Sequence, residues 1–159
     1  MDVMKLFKED LIVTGLEAKN DEEVITALGN LLYLKGYVKK SFVKAVIDRE
    51  KKYPTGLPIN EINLAIPHTD AEHVLKPAIA LAVLKKPVLF KNMADPHQEV
   101  KANLVFAIAL NDSHNQPILL QKLMSIFQDE KLLLTIKESQ SASYIFDIIK
   151  LKFKEENVS

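Results

Sequence analysis

Apolar positions along this chain recur with two periods, and the switches between them mark the elements. Near the start, Leu11–Gly15 (LIVTG) is an apolar run closed by glycine, which predicts a first strand. Asn20 precedes Asp21-Glu22-Glu23-Val24, where an asparagine side chain can cap orphan helix amides and Glu23 completes a capping-box pattern. Val24, Leu28, Leu31 and Leu32 follow at helical spacing and Gly36 supplies the stop, so a first helix is predicted between Asn20 and Gly36. Ser41 opens a second. Phe42, Ala45, Val46 and Arg49 continue one stripe, which puts Arg49 on the extension of an apolar face near the helix C-terminus. A guanidinium is favoured there by the helix dipole and can reach over the core edge. Tyr53-Pro54-Thr55-Gly56 then breaks the helix, because Pro54 lacks the amide hydrogen and Gly56 permits a turn.

The middle of the chain reads as sheet. INLAIPH, Ile62–His68, is a strand running into a proline, with Leu64, Ala65 and Ile66 turned inward. PAIALAVLKKPVLF predicts two strands separated at Lys85-Lys86, and Ala102–Leu110 is a nearly continuous apolar run of the kind a central strand requires. KNMADPHQE is a polar connection between them. In the C-terminal third the period becomes helical again, with a helix entered near Pro117, a short one over DEKLLLTIKES, and a last one carrying Tyr144, Ile145, Ile148, Ile149 and Phe153 on a broad face. This order predicts an α/β fold, a three-layer-like sandwich of a mixed β-sheet flanked by helices. No repeat or linker interrupts residues 1–159, which read as a single domain with a frayed last few residues.

Composition narrows the chemistry by exclusion. A chain of 159 residues, 48% hydrophobic and 26% charged, suits one globular core. Its 21 basic and 21 acidic side chains cancel, which argues against nucleic acid as a partner. There is no cysteine, so disulfides, thiolate catalysis and thiolate metal sites are excluded. The opening MDVMKLFKED lacks a basic region followed by an apolar stretch, and no window approaches the roughly 18 apolar residues of a membrane span. The expectation is a cytoplasmic protein, able to serve a membrane partner.

Histidine is the remaining source of chemistry. Of His68, His73, His97 and His114, His97 follows Asp95-Pro96 in a polar turn and reads as a surface residue. His68 stands apart: Pro67 fixes the backbone before it, Thr69 and Asp70 follow it, and an apolar strand anchors it. A triad would need a nucleophile, yet neither a Gly-x-Ser-x-Gly elbow nor a cysteine is present. Zinc could draw on His68, Asp70, His73 and His114, but their spacing matches no His-Glu-x-x-His or finger pattern, so no metal is assigned. Neither phosphate-binding glycine motif occurs, and no cofactor is expected. A histidine can itself attack a phosphoryl group through a neutral ring nitrogen. The product gains negative charge, for which Arg49 could supply a cation and Thr55 or Thr69 hydroxyl donors.

The stretch DREKKYPTGLPINEINLAIPHTDAEHV resembles the IIA component of the bacterial phosphoenolpyruvate-dependent sugar phosphotransferase system, in the fructose and mannitol superfamily and most closely its galactitol-specific branch. The likeness rests on Arg49-Glu50 with Pro54-Thr55-Gly56, then Ala65-Ile66-Pro67-His68-Thr69, and extends through PAIALAVL, PVLFKNM and LLQKL. It implies that His68 takes phosphate from the phosphohistidine of HPr and passes it to a IIB protein, a cysteine in the galactitol branch, serving a membrane IIC that moves the polyol. It also implies a mixed-sheet sandwich and places Arg49 near the phosphate. Fructose- and mannitol-type relatives carry a second histidine at the start of the late helix; registering QPILLQKL on that pattern puts Gln116 there, with His114 two residues earlier. Both are candidate phosphate-stabilising residues, although glutamine offers an amide donor and no positive charge. Glu50 is expected to point away from Arg49 along the helix. Leu57, Ile59 and Met93, with Ile62 beside them, are candidate partner contacts, and His73 a candidate at the rim. The rival readings are a regulatory protein using the same phosphorylation, whose output is binding a kinase, transporter or transcription regulator, and a metal-dependent hydrolase.

Overall fold

The computed structural model describes residues 2–158, with side chains through Glu155. A 3-10 turn, Val3–Leu6, leads into β1 (Phe7–Leu16), followed by α1 (Asp21–Leu34) and α2 (Phe42–Lys52). Two short strands, β2 (Gly56–Leu57) and β3 (Leu64–Ala65), precede the long β4 (Ala78–Lys91) and β5 (Glu99–Ala109). The chain closes with α3 (Gln116–Phe127), α4 (Glu130–Glu138) and α5 (Ala142–Val158). The frayed end expected of the last few residues falls on side chains beyond those described.

The five strands form one mixed sheet in the order β1-β4-β5-β3-β2. β4 and β5 pair antiparallel; β1 lies parallel to β4 and β3 parallel to β5. Along β4 the two faces differ in bulk. Ile79, Leu81 and Val83 pack with Leu104, Phe106 and Ile108 of β5 beneath α3, α4 and α5, while Ala78, Ala80 and Ala82 face α1 and α2. Small residues on that face leave room for Leu28 and Leu32 of α1 to seat against the sheet, as close packing requires. On the bulky face Phe106 meets Phe127 at 5.2 Å and Phe7 at 6.4 Å between ring centroids, the latter edge-on.

The predicted strand pair at residues 77–90 is one strand. Between Val83 and Val88 the chain takes five steps while β5 takes two, from Leu104 to Ala102, so the exposed Lys85-Lys86 lie in a bulge. The capping prediction holds with a variation: Asn20 Oδ1 accepts from the Glu23 amide at 3.0 Å, and Glu23 reaches back to the amide of Lys19. Gly36, at φ +85°, ends α1, and the Tyr37 amide bonds back to Leu32, closing the turn with the geometry a helix C-terminus favours. No described helix is long and apolar enough to cross a membrane.

Candidate functional site

β3 contributes only Leu64 and Ala65 to the ladder, after which Ile66, Pro67 and His68 continue beside β5. The Ile108 amide donates to the Pro67 carbonyl at 3.0 Å, and His68 bridges Ile108, so the imidazole is carried by the end of the sheet rather than by a free loop. The His68 residue is 9% exposed. Its Nδ1 lies 2.7 Å from the Ile66 carbonyl oxygen. A carbonyl can only accept, so in this bond the hydrogen is on Nδ1 and the lone pair of the neutral ring is on Nε2. Among the described residues the one buried side-chain nitrogen or oxygen without a partner is Arg49 Nε. The unpaired Nε2 is therefore the atom that solvent reaches.

His68 borders a cavity of about 270 Å³ lined also by Thr69, Asp70, Ile108, Ser113 and Gln116, among others. Burial pushes the His68 pKa below its ordinary 6.5, the Ile66 bond opposes this, Arg49's charge lowers it further and Asp70 raises it; the balance is downward. The ring is consequently neutral at pH 7. Arg49 sits in the last turn of α2 with its guanidinium carbon 5.1 Å from the Tyr53 ring centroid, a cation–π arrangement that holds the head group over the helix end.

Glu50 corrects the expectation made for it. Instead of pointing away, it is 5% exposed, and its two carboxylate oxygens accept from the Thr55 amide and the Thr55 hydroxyl, each at 2.7 Å. Burial pushes its pKa from 4.5 to about 7 against those bonds, with Asp21 adding to the rise and Arg49 opposing it. The stripe that picked out Arg49 contained the signal: Glu50 follows Val46 by four residues and Phe42 by eight, which places it on the buried face too. Thr55 is in turn corrected. It is 3% exposed and gives its hydroxyl hydrogen to Glu50, so that hydroxyl is occupied rather than free for phosphate.

The other expected residues divide cleanly. Thr69 and Gln116 line the cavity with His68. His114 is exposed in the 3-10 turn Ser113–Asn115, its amide bonded to Asp112, and is not among the lining residues. His73 turns aside, with Nδ1 2.8 Å from Ser41 Oγ and its carbonyl accepting from Lys39, tying its own turn to the start of α2. Ile62 is core. Leu57 and Ile59 are half-buried against the helices below the sheet, and Ile59 lines a separate cavity of about 320 Å³ with residues of α4. Met93 is 42% exposed, its amide bonded to the Gly56 carbonyl at 2.8 Å, so it stands beside β2. His97 is exposed, as expected. The described residues contain no group of three histidine or acidic side chains placed to hold a metal ion.

Fold and site together define a class: a mixed-sheet sandwich presenting one neutral imidazole at a sheet end, fixed through one nitrogen and open at the other, within the field of a guanidinium. The chain belongs to the EIIA 2 family of the phosphoenolpyruvate-dependent sugar phosphotransferase system, which matches residues 5–152, and is a phosphotransferase component. It is 32% identical over 134 residues to the galactitol-specific EIIA component of Escherichia coli K12, spanning 82% of this chain and 89% of that one. Among solved structures, a PTS IIA protein from Streptococcus mutans superposes with a TM-score of 0.78 at 22% identity, over 96% of this chain and 95% of the other, which speaks for the fold. The mannitol IIA of Escherichia coli in its complex with phosphorylated IIB superposes at 0.72 with 29% identity, over 91% and 96% of the two chains.

Proposed function

We propose that this protein is a cytoplasmic phosphocarrier in which His68 accepts a phosphoryl group from phospho-HPr and donates it to a IIB protein, serving a membrane IIC during uptake of a polyol, galactitol. One observation carries the reading: His68, which lines the cavity, is held by Nδ1 on the Ile66 carbonyl, which leaves the lone pair of the neutral ring on Nε2. The choice of polyol rests on the Escherichia coli relative. The choice of acceptor is supported by the mannitol IIA, solved with its phosphorylated IIB.

In the first transfer the Nε2 lone pair attacks phosphorus as the bond to the donor histidine nitrogen breaks, and that nitrogen takes back its electron pair. The imidazole of His68 becomes positive as the new bond forms. Its Nδ1–H, already aimed at the Ile66 carbonyl, then makes a charge-assisted bond, so the ring is stabilised at the moment charge develops. The Arg49 guanidinium and the side-chain donors of Thr69 and Gln116 meet the transferring oxygens. In the second transfer the cysteine thiolate of IIB attacks phosphorus and Nε2 regains its lone pair. Both partners need the same mouth, so they dock in turn, against a face to which the exposed Met93 and the half-buried Leu57 contribute.

The test is transfer of labelled phosphate from phosphoenolpyruvate through enzyme I and HPr, with the labelled residue mapped and a galactitol IIB then added. Label on His68, lost in His68→Ala and discharged by IIB, is expected. Label on another residue, or none, refutes the acceptor; label that no IIB removes refutes the transport role.

A further inference from the structure

We infer that Glu50 is a positioning residue for His68, acting through a hydrogen-bonded chain that ends on the ring nitrogen opposite the reactive one. The inference rests on the proposed role of His68. Glu50 accepts from the amide and the hydroxyl of Thr55 at 2.7 Å each. The Thr55 carbonyl accepts from the Ile66 amide at 3.3 Å, and the Ile66 carbonyl accepts from His68 Nδ1 at 2.7 Å. Each link anchors the residue whose carbonyl is the next acceptor, so one carboxyl group at the end of α2 restrains Thr55, Thr55 restrains Ile66, and the Ile66 carbonyl sets which tautomer the imidazole takes.

The placement of Glu50 would be unfavourable on other grounds. It is buried, which disfavours charge, and it lies in the final turns of α2, where the helix dipole favours cations and Arg49, Lys51 and Lys52 supply them. An apolar side chain would suit a purely packing role there. The bidentate grip on Thr55 gives the carboxyl a task that an apolar residue could not perform, and the adjoining Arg49 is held in the same turn. The far side of the loop is fixed independently, since the Gly56 carbonyl accepts from the Met93 amide. Thr55 is thus clamped from the helix side by Glu50 alone among side chains that the structure pairs with it.

The deciding experiment combines ring-nitrogen NMR shifts of His68, which report the tautomer, with rapid-mixing transfer from phospho-HPr, in the full chain and three variants. Glu50→Gln preserves two bonds to Thr55, its carbonyl accepting from the amide and its NH2 donating to the hydroxyl oxygen. Its tautomer should match wild type, and its transfer rate should stay within about threefold. Glu50→Ala should show protonated Nε2 and a transfer step slower by about tenfold, with unchanged half-saturation in HPr, as expected for loosening one hydrogen bond. Thr55→Val, which keeps the amide and removes the hydroxyl, should shift both readouts in the same direction by a smaller amount. A folded Glu50→Ala protein with the wild-type tautomer and rate overturns the inference. Should that variant not fold, a wild-type tautomer in Thr55→Val overturns it. If wild-type protein never takes phosphate, the proposed function fails, and the tautomer comparison still decides the positioning role.

Discussion

Replacing Glu50 by glutamine removes a titration from the folded state, and the stability of the two proteins should diverge as pH rises. In the wild-type chain burial raises the carboxyl pKa from 4.5 to about 7, with Asp21 reinforcing the shift and Thr55 and Arg49 opposing it. Between those two values the folded state holds the proton and the unfolded state has released it. The sign follows: stability is fully present below 4.5, declines as pH rises, and has lost this contribution above about 7. The span corresponds to roughly 3 kcal/mol at 1.36 kcal/mol per unit of pKa. Glu50→Gln has no proton to lose, while His68 and the surface carboxylates titrate alike in both proteins and cancel in the difference. Urea unfolding followed by circular dichroism, suited to a chain without tryptophan, gives the free energy of each between pH 4.5 and 8. The variant should gain on wild type by roughly 3 kcal/mol across that range. Parallel curves would show that Glu50 is ionised in the folded protein throughout, and the account of its burial would be refuted.

Arg49→Ala should slow phosphoryl transfer by about a hundredfold, as removal of a preorganised donor does, with the thermal midpoint close to wild type; a wild-type rate in stopped-flow exchange with phospho-HPr contradicts the assignment. Because burial, with Arg49's charge, holds the His68 pKa below 6.5 despite the Ile66 bond and Asp70, transfer should remain level as pH falls through 6.5 and decline only below it. An NMR titration of the ring with a midpoint at or above 6.5 would exclude this. Gly56→Ala would place a methyl carbon 2.6 Å from the Lys91 carbonyl oxygen, where only backbone movement can make room. A loss of about 2 kcal/mol or more in urea unfolding is expected, and a neutral result would mean that β2 is not held as described.

Periodicity revealed the helices well because their caps are written locally: Asn20 with Glu23 at the start of α1 and Gly36 at its end. It divided β4 in error because two adjacent lysines look like a break, whereas a bulge opposite Asn103 absorbs them while the ladder resumes at Val88. Nothing within residues 83–88 states that the partner strand is short by three steps there. For the candidate site, Pro67-His68 and Arg49 stand out in the sequence because each combines a backbone constraint or a stripe with the chemistry proposed for it. Glu50 does not, because its importance depends on Thr55 folding back onto it across the Pro54 turn, and a buried acid resembles a surface acid until the burial is known. The distinction between Gln116 and His114 was equally tertiary: the start of α3 turns one residue into the cavity and leaves the other outside.

The parallel pairing of β1 with β4 has a consequence for how the chain is made. Phe7 pairs with Ile79 and Leu16 with Leu84, so during synthesis the first strand waits for most of the first half of the polypeptide before its partner exists. The β4–β5 hairpin, by contrast, can zip from its own turn as soon as it leaves the ribosome. A nascent chain arrested before Ile79 would carry a ten-residue strand with no ladder to join, an invitation to pair with a neighbouring nascent chain.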